Sequence, residues 1–504
     1  MPAKDSRGEL FRAAIALLLS FLVFYLVNRS VFLVYARYSL IEKFLAILFL
    51  TAESFIMIHA VGFFTQVYRN TRYPVQEIAP DYPLPVKPRV AILIPARHEP
   101  REVLEKTLIS CYNLRYSEKT IYLLDDSSEE RFKIEAEEAA RKYDAKIFRR
   151  EPRHGAKAGI INDCVKGLTE EYVAIFDADQ NPMPDFLLKL MPILESDPKL
   201  ALIQTPQFYS NANYNKVTLG SEMQQAVFYE YICDAKNING TMICCGTNVV
   251  IRRRALIEAG GFDESSVTED FSTSFTLHTM GWKTRYYNHV KTFGMGPVDL
   301  SSYFKQQNRW ASGNVGMLRK IIPSFLKSPG ALSLSQWFDY FITGSYYLIG
   351  WAYLFLVFCP IVYIFFNIPS FFMDTSVYTM TFVPYFILCY VIFYTSMGER
   401  RYTPLQIFQG QALLFLTHPV FLRASTLGLL GYRSTFQVTF KGKGHSISYR
   451  ELWPQIVFWA INLAALTWGV NRMLYDPTSA ILVNLLWILY HFILLSSLFY
   501  FNEE

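Results

Sequence analysis

The chain has 504 residues, of which 52% are hydrophobic and 16% aromatic, and this is more apolar than a typical soluble enzyme. The net charge of +5 is small for that length, so it does not indicate a nucleic-acid-binding protein. The seven cysteines include no Cys-x-x-Cys pair, which argues against a disulfide framework and against a zinc site. A membrane protein is therefore the first expectation.

Six apolar runs predict membrane-spanning helices, because each approaches the roughly 20 residues that cross a bilayer. They occupy residues 11–35, 44–64, 337–366, 377–395, 453–470 and 481–500. The first run lacks a clear small-residue cleavage site and a second run follows it, so we expect it to be retained. Pro360 predicts a tilt or kink in the third run. Glu53 and His59 lie within the second run and are expected to face the protein interior or a wet path.

Residues 71–325 have a different character, with short apolar strands alternating with amphipathic stretches at 101–111, 129–143 and 184–194. This alternation predicts an α/β domain with a parallel sheet. Residues 1–70 then hold two spans, and residues 326–504 hold four. The polar side chains within 404–431 favour an amphipathic helix at the membrane surface. Basic loops around 398–402 and 431–451 predict that the α/β domain is cytosolic, whereas basic residues at 29–43 argue weakly against it.

Two acidic clusters follow two predicted strands. Asp125 and Asp126 end "TIYLL", and Asp177 and Asp179 follow "YVAIF". Ligands of open parallel sheets bind at the carboxyl ends of the strands, so both clusters should face one crevice. Carboxylates there can hold Mg²⁺ or Mn²⁺, which in turn binds phosphate oxygens. The alternative is a pair of solvated turns.

Lys157 lies in "RHGAKAG", where small residues allow a helix to begin. An ammonium group at a helix N-terminus favours an anion such as a diphosphate. A plain surface lysine is the alternative reading.

Thr268, Glu269 and Asp270 precede a predicted helix. Thr268 is expected to cap that helix, with the two acids complementing its dipole. A carboxylate here could instead act as the general base that deprotonates an acceptor hydroxyl. The pattern is compatible with both roles at once.

Gln306, Arg309 and Trp310 precede the third apolar run. Arg309 could pair with a phosphate, and Trp310 offers a flat face for a sugar ring. A membrane-interface belt of arginine and tryptophan is the alternative.

Four of these motifs, taken in chain order, resemble those of the processive family-2 glycosyltransferases, and within them the cellulose synthase catalytic subunits. They are Asp125-Asp126, Asp177-x-Asp179, Thr268-Glu269-Asp270 and Gln306-x-x-Arg309-Trp310. The segments "IPARHEP", "IQTPQFYSN" and "CGTNVVIRRRAL" support the resemblance. "STFQVTFKGK" is similar to the FxVTxK gating loop of that family, here residues 434–444. The resemblance implies a cytosolic GT-A domain over 71–325 and a transmembrane channel region over 326–504.

The resemblance also implies roles for matching positions. Residues expected on the nucleotide and diphosphate side are Glu99, Asp125, Asp126, Lys157, Asp177, Asp179, Gln306 and Arg309, with Thr439 and Lys441 closing over the donor. Asp177 and Asp179 would hold the metal. The catalytic set would be Asp270 as base with Glu269 and Thr268 beside it, and the acceptor would meet Trp310, Cys245 and Gly246.

The implied function is processive, inverting transfer of glucose from UDP-glucose to a growing β-glucan, coupled to export across the plasma membrane. The linkage stays open between (1,4), (1,3) and mixed. A hyaluronan- or chitin-like synthase and a non-processive polyprenyl-phosphate glycosyltransferase are the alternatives. The lipid bilayer and accessory export subunits are expected partners, and nucleic acid is not. The chain ends at "YFNEE", so we expect no control through a C-terminal cyclic-di-GMP-binding domain.

Overall fold

Long helices at both ends of the chain flank a central α/β domain. The computed structural model describes residues 6–72, 84, 86–371, 373–399, 402–432 and 444–503. The helices are α1 Ser6–Tyr35, α2 Leu40–Arg72, α3 Arg101–Tyr112, α4 Glu130–Lys142, α5 Ala156–Gly167, α6 Phe186–Glu195, α7 Lys216–Val227, α8 Cys233–Asn239, α9 Arg253–Glu258, α10 Glu269–Thr279, α11 Leu300–Gly316, α12 Leu318–Lys327, α13 Leu334–Ser345, α14 Ile349–Phe366, α15 Thr375–Glu399, α16 Pro404–Leu416, α17 His418–Leu430, α18 Trp453–Tyr475 and α19 Ser479–Phe501. The three amphipathic stretches predicted as helices are α3, α4 and α6.

Ten strands form two sheets within the described residues. The strands are β1 Val90–Ala96, β2 Lys119–Asp125, β3 Ala145–Phe148, β4 Tyr172–Ile175, β5 Asn181–Pro182, β6 Leu200–Gln204, β7 Phe208–Tyr209, β8 Val249–Arg252, β9 Lys283–Tyr286 and β10 Thr292–Gly294. The main sheet has the order β3-β2-β1-β4-β8-β6-β9, and β5, β10 and β7 form the small one. Apolar clusters cover both faces of the main sheet, which explains the nearly continuous apolar strands.

The main sheet is mixed, whereas the sequence pattern predicted a parallel one; the four predicted strands, β1, β2, β4 and β6, do run parallel. β8 runs antiparallel to both of its neighbours, β4 and β6. Burial on both faces gives the same apolar pattern in either strand direction, so the sequence pattern does not specify the direction. The chain segments that connect β8 to its neighbours set its direction. β2, β1 and β4 are parallel neighbours, so their carboxyl ends lie at one edge.

Five described helical segments are long and apolar enough to cross a membrane. They are Gly8–Tyr35, Leu40–Thr65, Leu334–Phe366, Thr375–Glu399 and Ser479–Phe501. The predicted run 453–470 lies within the helix α18, which is not among the five. It carries polar side chains, and two of them, Gln455 and Asn462, are buried. The break in the third segment lies at the 3₁₀ turn Tyr346–Leu348, and α14 continues through Pro360.

The segment 404–431 was predicted as one amphipathic surface helix, and it forms two helices instead. α16 and α17 meet at 49°, and together they are apolar enough for a broken span or a re-entrant loop. Many of their polar groups are satisfied inside the protein. His418, for example, is buried and hydrogen-bonds the Phe415 carbonyl at 2.8 Å. The prediction of a single helix was therefore wrong, because the chain bends between α16 and α17, whereas the location of this segment at the membrane surface stays a prediction.

Two charges inside the N-terminal helices pair with each other. Arg29 belongs to α1 and is buried, so it does not count toward the charge of the loop where it was predicted. It lies 3.1 Å from the Glu53 carboxylate of α2, which also accepts a 2.6 Å bond from Tyr25. Glu53 thus faces the interior as predicted. His59 is half-buried and lies within 3.3 Å of the Ile342 carbonyl.

Candidate active site at the carboxyl edge of the sheet

The edge formed by β2, β1 and β4 brings the two predicted acidic clusters to one side. Asp125 ends β2, and Asp177 follows β4 by two residues. β1 lies between these strands, so their ends are separated by two strand spacings, about 10 Å. This separation suits a ligand that is longer than a single sugar or phosphate group.

Lys157 links this edge to the loop that follows. It lies in the first turn of α5, where the preceding Gly155 and Ala156 both have positive φ angles of 57° and 46°. Its Nζ donates to the Asp177 carboxylate and to the Gly246 carbonyl, the latter at 2.8 Å. Burial lowers the pKa of Lys157, but nearby carboxylates, Asp177 first, outweigh that effect and raise it above its ordinary value. Lys157 is therefore a permanent cation in this crevice.

Glu269 and Asp270 are the first two residues of α10, and both carboxylates lie close enough to Lys157 to raise its pKa. Burial, reinforced by the charge of Asp270, raises the pKa of Glu269 to about 7. Burial also raises the pKa of Asp270, although the Phe271 amide, which donates to it at 2.8 Å, and the charges of Arg309 and Lys157 oppose the shift. A carboxylate with a raised pKa that still ionises near neutrality is suited to accept a proton.

Gly246 makes this approach of charges possible. A Cβ atom at this position would lie 3.1 Å from Asp270 Oδ2 and 3.6 Å from Lys157 Nζ, and its φ is +81°. The preceding Cys245 is half-buried, and its amide donates to Gln204 Oε1 at 2.8 Å. The Cys245–Gly246 backbone therefore lies directly against Asp270, and its role in binding the acceptor stays a prediction.

Thr268 occupies the N-cap position of α10, but the predicted side-chain cap is absent. Its side chain makes no capping hydrogen bond to the helix. It is buried instead, and a Cβ at Gly313 of α11 would lie 2.3 Å from its Cγ2. The capping prediction was wrong because Thr268 packs on the backbone of α11. That contact holds α10 and α11 together.

α11 carries Gln306, Arg309 and Trp310. It begins at a cap in which Asp299 accepts from the Ser302 amide at 2.7 Å. Arg309 lies near both acids, since its charge lowers the pKa of each. Gln306 Oε1 is buried and makes no hydrogen bond within the described residues. Trp310 is half-buried against an apolar cluster of the membrane helices, so it stands where the α/β domain meets them.

Asp125 and Asp126 are each paired with arginines. Asp125 is buried, with one oxygen 2.8 Å from Arg149 Nε and the other accepting from the Ser127 amide at 3.0 Å. Both Asp125 oxygens are thus engaged in ordering the loop after β2. Asp126 contacts Arg150 and Arg153, each at no more than 3.3 Å. These arginines were missed from the sequence, although the basic run "FRREPRH" directly before "GAKAG" was a visible signal.

A metal ion would have two carboxylates at hand here. Asp177 and Asp179 are half-buried and two residues apart, and Glu99 is half-buried after β1. No group of three or more acidic, histidine or cysteine side chains that could hold a metal exists within the described ranges. Mg²⁺ commonly binds through one or two carboxylates and completes its shell with substrate phosphates and water. The donor set therefore fits a metal that arrives with a phosphorylated substrate.

The predicted gating residues Thr439 and Lys441 lie outside the described residues. Six of the other predicted residues come together in what we call the charged cluster, and Asp126 lies beyond it along the same edge. The six are Lys157, Asp177, Gly246, Glu269, Asp270 and Arg309.

A family model described as "Glycosyltransferase like family 2" matches residues 88–313. This range contains every member of the charged cluster. Residues 88–313 form a family 2 glycosyltransferase domain. Among curated proteins, the cellulose synthase catalytic subunit of Pseudomonas fluorescens is 26% identical over 81% of this chain and 56% of its own length. That of Xanthomonas axonopodis is 32% identical over 56% of this chain and 38% of its own length.

The chain is therefore similar to cellulose synthase catalytic subunits, and the match spans 56% of the length of the first of these relatives and 38% of the second. A solved mannosyltransferase from Pyrobaculum calidifontis, in complex with GDP-Man and Mn²⁺, has a TM-score of 0.52 and 17% identity. It covers 76% of this chain and 99% of its own. This likeness shows a GT-A-like fold. The apolar helices and the relatives together indicate a multi-pass membrane protein.

Proposed function

We propose that this chain transfers glucose from UDP-glucose to the non-reducing end of a growing β-glucan and passes the polymer through its own membrane helices. The observation that carries the proposal is the charged cluster at the sheet edge. Lys157 and Arg309 stand beside Asp177 and the Glu269–Asp270 pair, within a family 2 domain. Cations for a diphosphate and a carboxylate for a hydroxyl proton thus meet at one point.

The nucleotide would lie along the edge between Asp126 and Asp177. Its nucleoside would approach Asp126 and Glu99, and its diphosphate would approach Lys157. A divalent metal would bind to Asp177 and Asp179, and it would neutralise diphosphate charge. The mannosyltransferase of similar fold was solved with Mn²⁺, so Mg²⁺ and Mn²⁺ are both candidates. Asp125 would order the loop, because its oxygens are already engaged.

The reaction would be a single displacement at the anomeric carbon. Asp270 would accept the proton of the acceptor hydroxyl as the new carbon–oxygen bond forms, and the bond to the diphosphate oxygen would break. Lys157 and Arg309 would stabilise the negative charge that UDP carries away. A single displacement inverts the anomeric carbon and gives a β-linkage from an α-linked donor.

Export would begin at Trp310, where a sugar ring can stack. Aromatic side chains continue from there into the membrane helices. The rings of Phe55 and His59 are 4.3 Å apart, and those of His59 and Tyr346 are 6.0 Å apart. A sugar chain is too polar to enter lipid, so a protein-lined path beside the catalytic site couples synthesis to transport. We place the α/β domain in the cytosol of a cell whose plasma membrane the polymer crosses.

The test uses the full chain, purified in detergent or vesicles, with UDP-[¹⁴C]glucose and Mg²⁺ or Mn²⁺. A high-molecular-weight product that linkage-specific glucanases digest would support the proposal and fix the linkage. A lipid-extractable monosaccharide would instead support the polyprenyl-phosphate alternative, and polymer formed only from UDP-N-acetylhexosamines would support a chitin- or hyaluronan-like synthase.

The role of Asp270 is tested by Asp270→Asn. We expect transfer to be lost while UDP binding stays within about threefold of wild type, because the amide keeps the shape but accepts no proton. Equilibrium UDP binding and polymer yield are measured on the same preparation. Loss of UDP binding in this variant would contradict the assignment of Asp270 as the base.

A further inference from the structure

Asp126, on the proposed nucleoside side, is covered by two guanidinium groups. Arg150 Nη2 is 3.1 Å from Oδ2, and Arg150 Nε is 3.3 Å from Oδ1. Arg153 Nε is also 3.3 Å from Oδ1. Oδ1 thus accepts a hydrogen bond from Arg150 and forms an ion pair with Arg153, and the Asp126 side chain is only 7% exposed. A nucleobase N–H that is to reach this carboxylate needs one of the two arginines to move away.

Arg150 is held in place from several sides. Its side chain is 5% exposed, and it also contacts Asp163 at 3.2 Å and donates to the Ala156 carbonyl at 2.9 Å. A Cβ at Gly159 would lie 2.5 Å from its Nη1, so the guanidinium packs directly on α5. Moving Arg150 would break several hydrogen bonds at once. It is the fixed partner of Asp126.

Arg153 is held much less firmly. Its side chain is 34% exposed, and the carboxylate it covers is 7% exposed. An ion pair with one solvent-exposed member and a 3.3 Å separation contributes little to stability, because water screens it. Arg153 is therefore the arginine that can leave Asp126 at low cost.

A released Arg153 has a second anion within reach when the donor binds. It lies four residues before Lys157, the proposed diphosphate-binding lysine, in the loop that leads into α5. A nucleoside diphosphate occupying the edge brings its phosphates to that loop. Guanidinium groups bind phosphate oxygens through two parallel hydrogen bonds, which are stronger than those of an exposed carboxylate pair.

We propose that Arg153 exchanges partners during donor binding: it covers Asp126 in the free enzyme and binds the diphosphate of the nucleotide in the complex. This rests on the proposed function, and it adds a diphosphate-binding residue to the site. Because Arg153 must leave Asp126 for the nucleobase to enter, a ligand without phosphates breaks the ion pair with no compensating contact. The exchange therefore favours nucleoside diphosphates over nucleosides.

The test compares Arg153→Gln with wild type in equilibrium binding of UDP and of uridine to the full chain in detergent. We expect UDP to bind about tenfold or more weakly, since a charge-assisted bond to phosphate is lost. Uridine should bind as well as or better than to wild type, since Asp126 is uncovered. Arg153→Lys keeps the charge and should recover part of the UDP affinity. Arg131→Gln is the matched control, because Arg131 pairs with Glu135 on an exposed face of α4.

Equal weakening of UDP and uridine in Arg153→Gln would mean that Arg153 only supports the loop, and unchanged UDP affinity would mean that it never reaches the diphosphate. Either result overturns the inference but leaves the proposed function standing. Wild-type protein that binds neither UDP nor uridine would overturn both.

Discussion

A methyl group added at Gly246 should lower the catalytic rate much more than it lowers the stability of the fold. In Gly246→Ala, the new Cβ would lie 3.1 Å from Asp270 Oδ2 and 3.6 Å from Lys157 Nζ. The first distance is closer than ordinary van der Waals contact, so the Asp270 carboxylate must shift by a few tenths of an ångström. The φ of +81° adds backbone strain of about 1–2 kcal/mol for any residue with a side chain.

The effect on turnover follows from the geometry. A misplacement of about 1 Å can cost about a hundredfold in rate, so a shift of a few tenths of an ångström should lower kcat roughly tenfold. The distance of 3.6 Å from the new Cβ to Lys157 Nζ is ordinary van der Waals contact, so the proposed diphosphate-binding lysine is not displaced and the UDP dissociation constant should change by less than about threefold. The melting temperature should fall by a few degrees, as the backbone strain requires.

The matched control is Gly281→Ala. Gly281 has a φ of +83°, but a Cβ there would meet nothing within 4 Å, and it lies beyond the other end of α10. It therefore carries the same backbone strain without the contact to Asp270. Initial rates of polymer synthesis, UDP binding and thermal unfolding are measured for both variants. If both lose kcat equally, or if Gly246→Ala retains full activity, the proposed packing of Gly246 against the base is refuted.

The remaining predictions concern the two acidic groups with close charged neighbours. Activity should fall as pH is lowered through the raised pKa of Asp270, because the proposed base then holds a proton. The charges of Asp270 and Glu269 oppose each other's ionisation, so in Glu269→Gln the loss of a neighbouring negative charge should move this limb of the pH–rate profile to lower pH. A limb that stays in place would argue that the two carboxylates do not interact. Glu53→Gln should lower thermal stability in detergent by about 3–5 kcal/mol, because the buried Arg29 loses its counter-charge. The double variant Arg29→Leu/Glu53→Leu should recover much of that stability, and the pair contributes little if the single variant unfolds like wild type.

Local patterns were sufficient for much of the fold. α3, α4 and α6 lie where amphipathic spacing predicted helices, and α10 begins where the Thr268-Glu269-Asp270 pattern predicted a helix start. Five helical segments with the length and hydropathy of spans coincide with predicted apolar runs. These features depend on neighbouring residues, and so the sequence pattern records them. The direction of β8 and the bend between α16 and α17 depend on distant contacts, and local hydropathy carries no signal for either.

The sequence by itself determined which residue types are available for the chemistry. The acidic pairs, Lys157, Asp270 and Arg309 occur in an order that resembles family-2 glycosyltransferases, and that resemblance implied a sugar transferase before any contact was known. Only the tertiary structure decided which of them meet. The strand order places Asp177 in contact with Lys157. The missing side chain at Gly246 allows the Asp270 carboxylate to lie close to the same lysine. The structure also shows that Thr268 makes no capping hydrogen bond and that Arg153 covers Asp126. Neither could be read from the sequence, because packing and not spacing sets the partners of side chains that are distant along the chain.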